Sequence, residues 1–117
     1  MDSVPPCKLG GMKNPETLIT QRIVRELEAF GALVFKLHGS QYQAAGLPDL
    51  LVHRGGMTIW MEVKTATGRL RKIQEARITQ IRRYGIPVAV VRSPEEALEF
   101  LSEHCPTGGA YHEGEKE

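Results

Sequence analysis

Apolar positions recur along this chain with two different periods, and each change of period marks the edge of an element. From Pro15 to Phe30 the spacing is helical: advancing 100° per residue, Ile19, Ile23, Leu27 and Phe30 gather on one face, with Glu16 on that face and Glu26 at its margin. Asn14 suits the N-cap, Pro15 the first helical position, and Gly31 the stop. Ala32 to Leu37 (ALVFKL) then reads as a strand, residues 38–46 (HGSQYQAAG) as a loop and Pro48 to His53 as a second strand. Arg54-Gly55-Gly56 follows as a hairpin turn and Met57 to Lys64 as a third strand. A second helix is predicted from Leu70 to Tyr84, with Leu70, Ile73, Ile78, Ile81 and Tyr84 on its apolar face. Ile86 to Val91 is a buried strand, and Pro94 to Glu103 a last helix capped by Ser93. The order αβββαβα predicts an α/β fold in which a mixed four-stranded sheet is flanked by helices. Its first three strands run as a meander, and the fourth follows a helical crossover.

At 117 residues the chain is one domain's worth, with the mix of apolar and charged residues of a soluble globule. The Gly-, Pro- and polar-rich ends, 1–12 and 104–117, lack periodicity and are expected to be flexible, leaving a domain at 13–103. No apolar run approaches the roughly 20 residues that cross a bilayer, and the N-terminus lacks a signal peptide's apolar centre, so a cytoplasmic protein is expected. Cys7 and Cys105 have no metal-ligand spacing and read as free thiols; His53, His104 and His112 show no such spacing either. His38, at a strand end, is open to reading as a base, a ligand or neither.

The net charge of +1 conceals a segregation. Residues 63–92 hold eight basic side chains (Lys64, Arg69, Arg71, Lys72, Arg77, Arg82, Arg83 and Arg92) against one acid, Glu75, whereas 93–117 hold one base and seven acids. A concentrated basic segment suits phosphates, although it is also what a solvated helix face looks like.

The candidate chemistry lies just before that segment. Side chains alternate across a strand, so Trp60, Glu62 and Lys64 share one face while Ile59, Met61 and Val63 share the other. If the two strands pair through the Arg54-Gly55-Gly56 turn, Asp49 comes close to Glu62, and two carboxylates meet one ammonium. Carboxylates in one place repel unless a cation lies between them, and oxygen ligands of this kind suit Mg²⁺ or Mn²⁺. Gln74 falls within the apolar face of the second helix, where a buried amide needs partners. Trp60 reads as packing, or as a stacking surface for a splayed base.

Taken together, Gly46-Leu47-Pro48-Asp49, then Glu62-Val63-Lys64, Thr67 to Leu70 (TGRL), Gln74, and the passage from Val88 to Glu96 resemble the PD-(D/E)xK nucleases. The closer resemblance is to the stand-alone viral or bacterial VRR-NUC (virus-type replication-repair nuclease) domains, and it covers nearly all of residues 16–103. It implies a restriction-endonuclease-like core and a metal-dependent, structure-selective DNA endonuclease that hydrolyses phosphodiester bonds. Asp49 and Glu62, with the backbone carbonyl of Val63, would hold the ion. Lys64 would orient or activate the attacking water, and Gln74 would lie beside the metal site. Glu16 would be the helix-borne acid, with Glu26 the competing candidate; a charge at a helix N-terminus is Glu16's other reading. The resemblance also implies a homodimer acting on branched DNA, four-way junctions first, with flap or nick cleavage or a non-catalytic nucleic-acid-binding domain as alternatives. Arg69, Arg71, Lys72, Arg82 and Arg83 are candidates for phosphate contact, as is Ser40, with Gln41, Tyr42 and Gln43 beside it in the loop. Arg77, where the family pattern is more often apolar, is open between DNA contact and an internal ion pair.

Overall fold

The computed structural model describes residues 14–37 and 44–107. The elements run in the expected order: α1 (Pro15–Ala29), β1 (Leu33–Lys36), β2 (Leu50–Arg54), β3 (Met57–Val63), α2 (Lys72–Arg83), β4 (Val88–Val91) and α3 (Pro94–His104). The starts of α1 and α3 are set as their cap residues predict, whereas α2 starts at Lys72, two residues later than expected. The Asn14 side chain accepts from the Thr17 N–H at 2.8 Å and the Ser93 hydroxyl from the Glu96 N–H at 3.1 Å, each satisfying an orphan donor of a first turn. Strands β2 and β4 begin later than periodicity alone suggests. Pro48 and Pro87 lie just ahead of them, and proline has no N–H to give a ladder.

The sheet order is β1-β2-β3-β4, antiparallel across the first two pairs and parallel across the last, with α2 as the crossover between the parallel strands. Gly55 and Gly56 both have positive φ, the conformation that a two-residue type I′ hairpin requires, and Arg54 pairs with Met57 across them. This turn sets the register on which the candidate site depends.

One sheet face carries the main core. Ile23 and Leu27 from α1 and Ala97 and Leu101 from α3 pack on Leu50, Val52, Ile59, Met61 and Val63. The opposite face is covered by α2, where Ile78 and Ile81 pack with Val88 against Trp60, Leu70 and Val90. The predicted alternation of β3 is therefore observed, and Trp60 is a packing residue under α2. Four expectations of burial fail, one of them at Ile86, which is 37% exposed ahead of β4. Phe30 is 49% exposed and Tyr84 79%, because each is a C-cap where the helical direction ends. Ile73 is 43% exposed, in the first turn of α2. At the other end of the chain α3 runs to His104, and the free Cys105 after it is fully buried. Arg54 donates to the carbonyls of Cys105 and Phe30, tying the hairpin to the ends of α1 and α3. Among the described residues no helix is long and apolar enough to cross a membrane.

Candidate active site

The site is assembled where three elements end together. One residue before the Leu50–Met61 pair, Asp49 faces Glu62 across β2 and β3, and the first turn of α1 brings Glu16 to them. One carboxylate oxygen from each of Glu16, Asp49 and Glu62 lies within 4.8 Å of the other two. Glu26 is not in this group; it lies with Arg22 and Arg25 beside Pro94 and Glu95, so Glu16 is the acid that α1 contributes here.

Each carboxylate of the strand pair is held from behind. An Asp49 oxygen accepts from the Val63 N–H at 3.0 Å. In extended backbone a residue's N–H and C=O leave the same strand edge, so the Val63 carbonyl leaves β3 toward the Asp49 side. Gln74, buried as its position on α2 predicts, accepts the Arg71 N–H at 2.8 Å through Oε1, the returning half of a capping box. That bond turns its NH₂ toward Glu62, where it donates to Oε2 at 3.0 Å. Lys64 Nζ stands 3.6 Å from the same Oε2. The other oxygen, Glu62 Oε1, is buried and has no hydrogen-bond partner among the described residues.

Three carboxylates facing one ammonium are electrostatically unfinished. Burial first, and then the neighbouring Asp49 carboxylate, push Glu62 up to about 7 against the pull of Lys64, with Glu16 adding to the rise. Burial also raises Asp49, opposed by the Val63 N–H and Lys64. A buried orphan oxygen amid like charges is the situation that a divalent cation relieves, and all-oxygen donors fit Mg²⁺ or Mn²⁺. The donor set thus fits the ion expected from the sequence.

A cavity of about 290 Å³ adjoins the acids and opens between α1 and the β1–β2 edge, lined by Glu16, Thr17, Gln21, Lys36 and Asp49 among others. Lys36 was not a candidate from the sequence; its only signal there is a charge inside the apolar run ALVFKL. The Pro48-Asp49 segment is placed by Gly46, whose φ of +79° favours glycine. A Cβ there would meet the Ile73 carbonyl oxygen at 2.6 Å.

The basic segment divides. Arg69, Arg71 and Lys72 are exposed at the N-terminal end of α2, next to Gln74, whereas Arg82 and Arg83 lie at its far end, roughly 15 Å along the axis. Arg82 donates to the Val88 carbonyl at 3.0 Å. Arg77 makes no ion pair among the described residues: it donates to the Ala45 carbonyl at 2.9 Å and to Gln80 at 2.7 Å, fastening α2 to the segment before Gly46. Ser40 and the other loop candidates, His38, Gln41, Tyr42 and Gln43, lie outside the described residues, as do Cys7 and His112.

Comparison with known proteins bears on family and fold. No curated protein matches the chain. A solved structure described as a VRR_NUC domain is similar at 30% identity and a TM-score of 0.66, over 79% of this chain and 98% of that one. The profile of the VRR-NUC domain matches residues 12–95, a span that contains the acidic group, Lys64 and Gln74. On that match, and with a nuclease-type fold to go with it, the chain belongs to the VRR-NUC domain family.

Proposed function

We propose that this protein is a divalent-metal-dependent DNA endonuclease that hydrolyses phosphodiester bonds in branched DNA, four-way junctions above all. The observation that carries this reading is the convergence of Glu16, Asp49 and Glu62 within 4.8 Å, beside Lys64 and with one buried Glu62 oxygen that has no partner among the described residues. These carboxylates, with the Val63 carbonyl, would hold Mg²⁺ or Mn²⁺. When bound, such an ion acts as a Lewis acid on the phosphoryl oxygen and makes a water more acidic.

The residues have separate tasks around it. Lys64 places a positive charge where negative charge builds on the phosphorus centre, and its ammonium orients the attacking water. Gln74 fixes Glu62 Oε2 by a hydrogen bond and so directs Oε1. Arg69, Arg71 and Lys72, exposed next to Gln74, hold flanking phosphates, which positions a duplex without reading its sequence. A two-fold dimer would present two such sites to a junction's two equivalent strands. Leu33 and Phe35, each more than half exposed on edge strand β1, offer apolar surface for that association.

The test is to incubate the protein with labelled four-way junction, flap, nicked, single-stranded and plain duplex DNA, each with Mg²⁺, Mn²⁺ or EDTA. Cleavage of the junction only with an ion, lost in Asp49→Ala, is the expected result. Preference for flaps or nicks would move the substrate class, and ion-independent binding without cleavage would leave a nucleic-acid-binding domain. Sedimentation of the wild type against Phe35→Glu tests the dimer.

A further inference from the structure

Among the eight basic residues of the 63–92 segment, Arg92 is arranged unlike a phosphate-binding surface residue. It is half-buried at the end of β4, and its Nη1 donates to two carbonyls, Thr65 at 2.6 Å and Gly68 at 2.7 Å. Both belong to the turn that follows Lys64. That turn is closed on itself by the Gly68 N–H, which donates to the Thr65 carbonyl and hydroxyl, each at 3.1 Å. It also lies along the Lys64 side chain: a methyl placed on Gly68 would sit 3.6 Å from Lys64 Cδ and 3.1 Å from Thr65 Oγ1. On its outer side Thr65, Ala66 and Thr67 line a cleft of about 490 Å³ with Glu16. Arg92 is itself fixed, since its N–H donates to Glu96 at 2.7 Å and the preceding Val91 carbonyl receives the Lys64 N–H at 3.1 Å.

We propose that Arg92 is a positioning residue for Lys64: its guanidinium holds the Thr65–Gly68 turn by the carbonyls, and the turn holds the Lys64 stem against Glu62. This rests on the nuclease reading above. Lys64 is the first residue past the end of β3; its N–H is still held by the Val91 carbonyl, but its long side chain has many rotamers. The Gly68 backbone, close enough that an added methyl would touch the stem, narrows them. The Gly68 carbonyl and the second lone pair of the Thr65 carbonyl are open to a further donor, and one nitrogen with two N–H groups serves both. An ammonium at the same place serves them in part, whereas a thioether of similar length does not.

The experiment compares Arg92→Met and Arg92→Lys, each alone and with Lys64→Ala, using junction DNA and Mn²⁺. Loss of a group that orients a metal-site residue costs on the order of 10- to 100-fold, so Arg92→Met should lower kcat by that factor. KM should move less than about threefold, and Arg92→Lys should fall between wild type and Arg92→Met. With Lys64 already removed, Arg92→Met should cost less than about threefold, because residues acting through one another are not additive. Amide exchange gives a readout apart from activity: the Gly68 N–H should exchange at least about tenfold faster in Arg92→Met, with the Ile23 and Leu27 amides unchanged. Fully additive kcat losses, or a rise in KM at unchanged kcat, would overturn the proposal, the second making Arg92 a DNA contact. Should Arg92→Met fail to fold, the smaller kcat loss of Arg92→Lys must vanish in the Lys64→Ala background in the same way. A wild type that cuts no DNA removes the nuclease reading and this proposal together, whereas cleavage with additive losses removes this proposal alone.

Discussion

Replacing Glu62 by Gln should make the ion-free protein more stable at pH 8, although it deletes a residue assigned to the site. Glu62 is 1% exposed, and its carboxyl is raised from 4.5 to about 7 by burial and by Asp49. A carboxyl that holds its proton more tightly folded than unfolded adds stability below pH 4.5 and loses it as pH rises through 7. At about 1.4 kcal/mol per pKa unit, the ionised side chain at pH 8 costs the fold about 3 kcal/mol relative to its protonated form. For a domain of this size that is roughly 12 to 24 °C in Tm. The assay is thermal melting of EDTA-treated protein from pH 4 to 8.5, for wild type and Glu62→Gln. Asp49 is present in both and interacts with Glu62, so the difference between the curves reports the titration of that pair. The wild type should fall relative to the variant between pH 4.5 and 7 and level off above. Saturating Mn²⁺ at pH 8 should restore wild type by about 2.7 kcal/mol at a hundredfold excess over its Kd and move the variant much less. Parallel pH curves would mean that Glu62 ionises without cost, and nothing in the electrostatics of this pocket would then call for a cation.

Other perturbations separate the roles of neighbouring groups. Lys64→Ala should reduce kcat by roughly 10²- to 10³-fold, the scale of losing one charge-stabilising donor, while junction affinity measured in Ca²⁺ changes less than about threefold; equal losses in both would make Lys64 a binding residue. Gly46→Ala should cost more than about 1 kcal/mol in urea melts, since it adds a Cβ 2.6 Å from the Ile73 oxygen at positive φ; an unchanged midpoint would show that the segment before Asp49 is free to move. Arg71→Ala with Lys72→Ala, on an Asp49→Ala background, should flatten the dependence of log affinity on log salt by roughly 0.9 for each phosphate no longer neutralised. The same change at Arg82 and Arg83, at the far end of α2, is the comparison. A slope altered only by the distal pair would put the DNA away from the acidic group.

What was legible beforehand follows a physical division between local and long-range determinants. Caps, a two-glycine turn and strand alternation act over a few residues, so Asn14, Ser93 and Gly55-Gly56 announced themselves, and the turn's register carried Asp49 to Glu62. Gln74 was readable as an inward amide for the same reason. What its two bonds reach was not, because Glu62 lies twelve residues away on another element. Burial failed at Phe30, Ile73 and Tyr84, where a periodic face passes the end of the surface it packs on; period reports an angle, not the extent of the partner. The arginines are the instructive case. Charge counting gave Arg92 the same weight as Arg69 or Arg71, yet its partners are 24 and 27 residues distant. A guanidinium that satisfies turn carbonyls and one that faces solvent have the same letter and the same local pattern. Only the path of the chain between β3 and α2, which turns the Thr65 and Gly68 carbonyls toward Arg92, distinguishes them. Basic residues in a segment of this kind therefore divide by the backbone oxygens they reach: Arg77, Arg82 and Arg92 each donate to a carbonyl, and a guanidinium so engaged has fewer N–H groups to offer a phosphate.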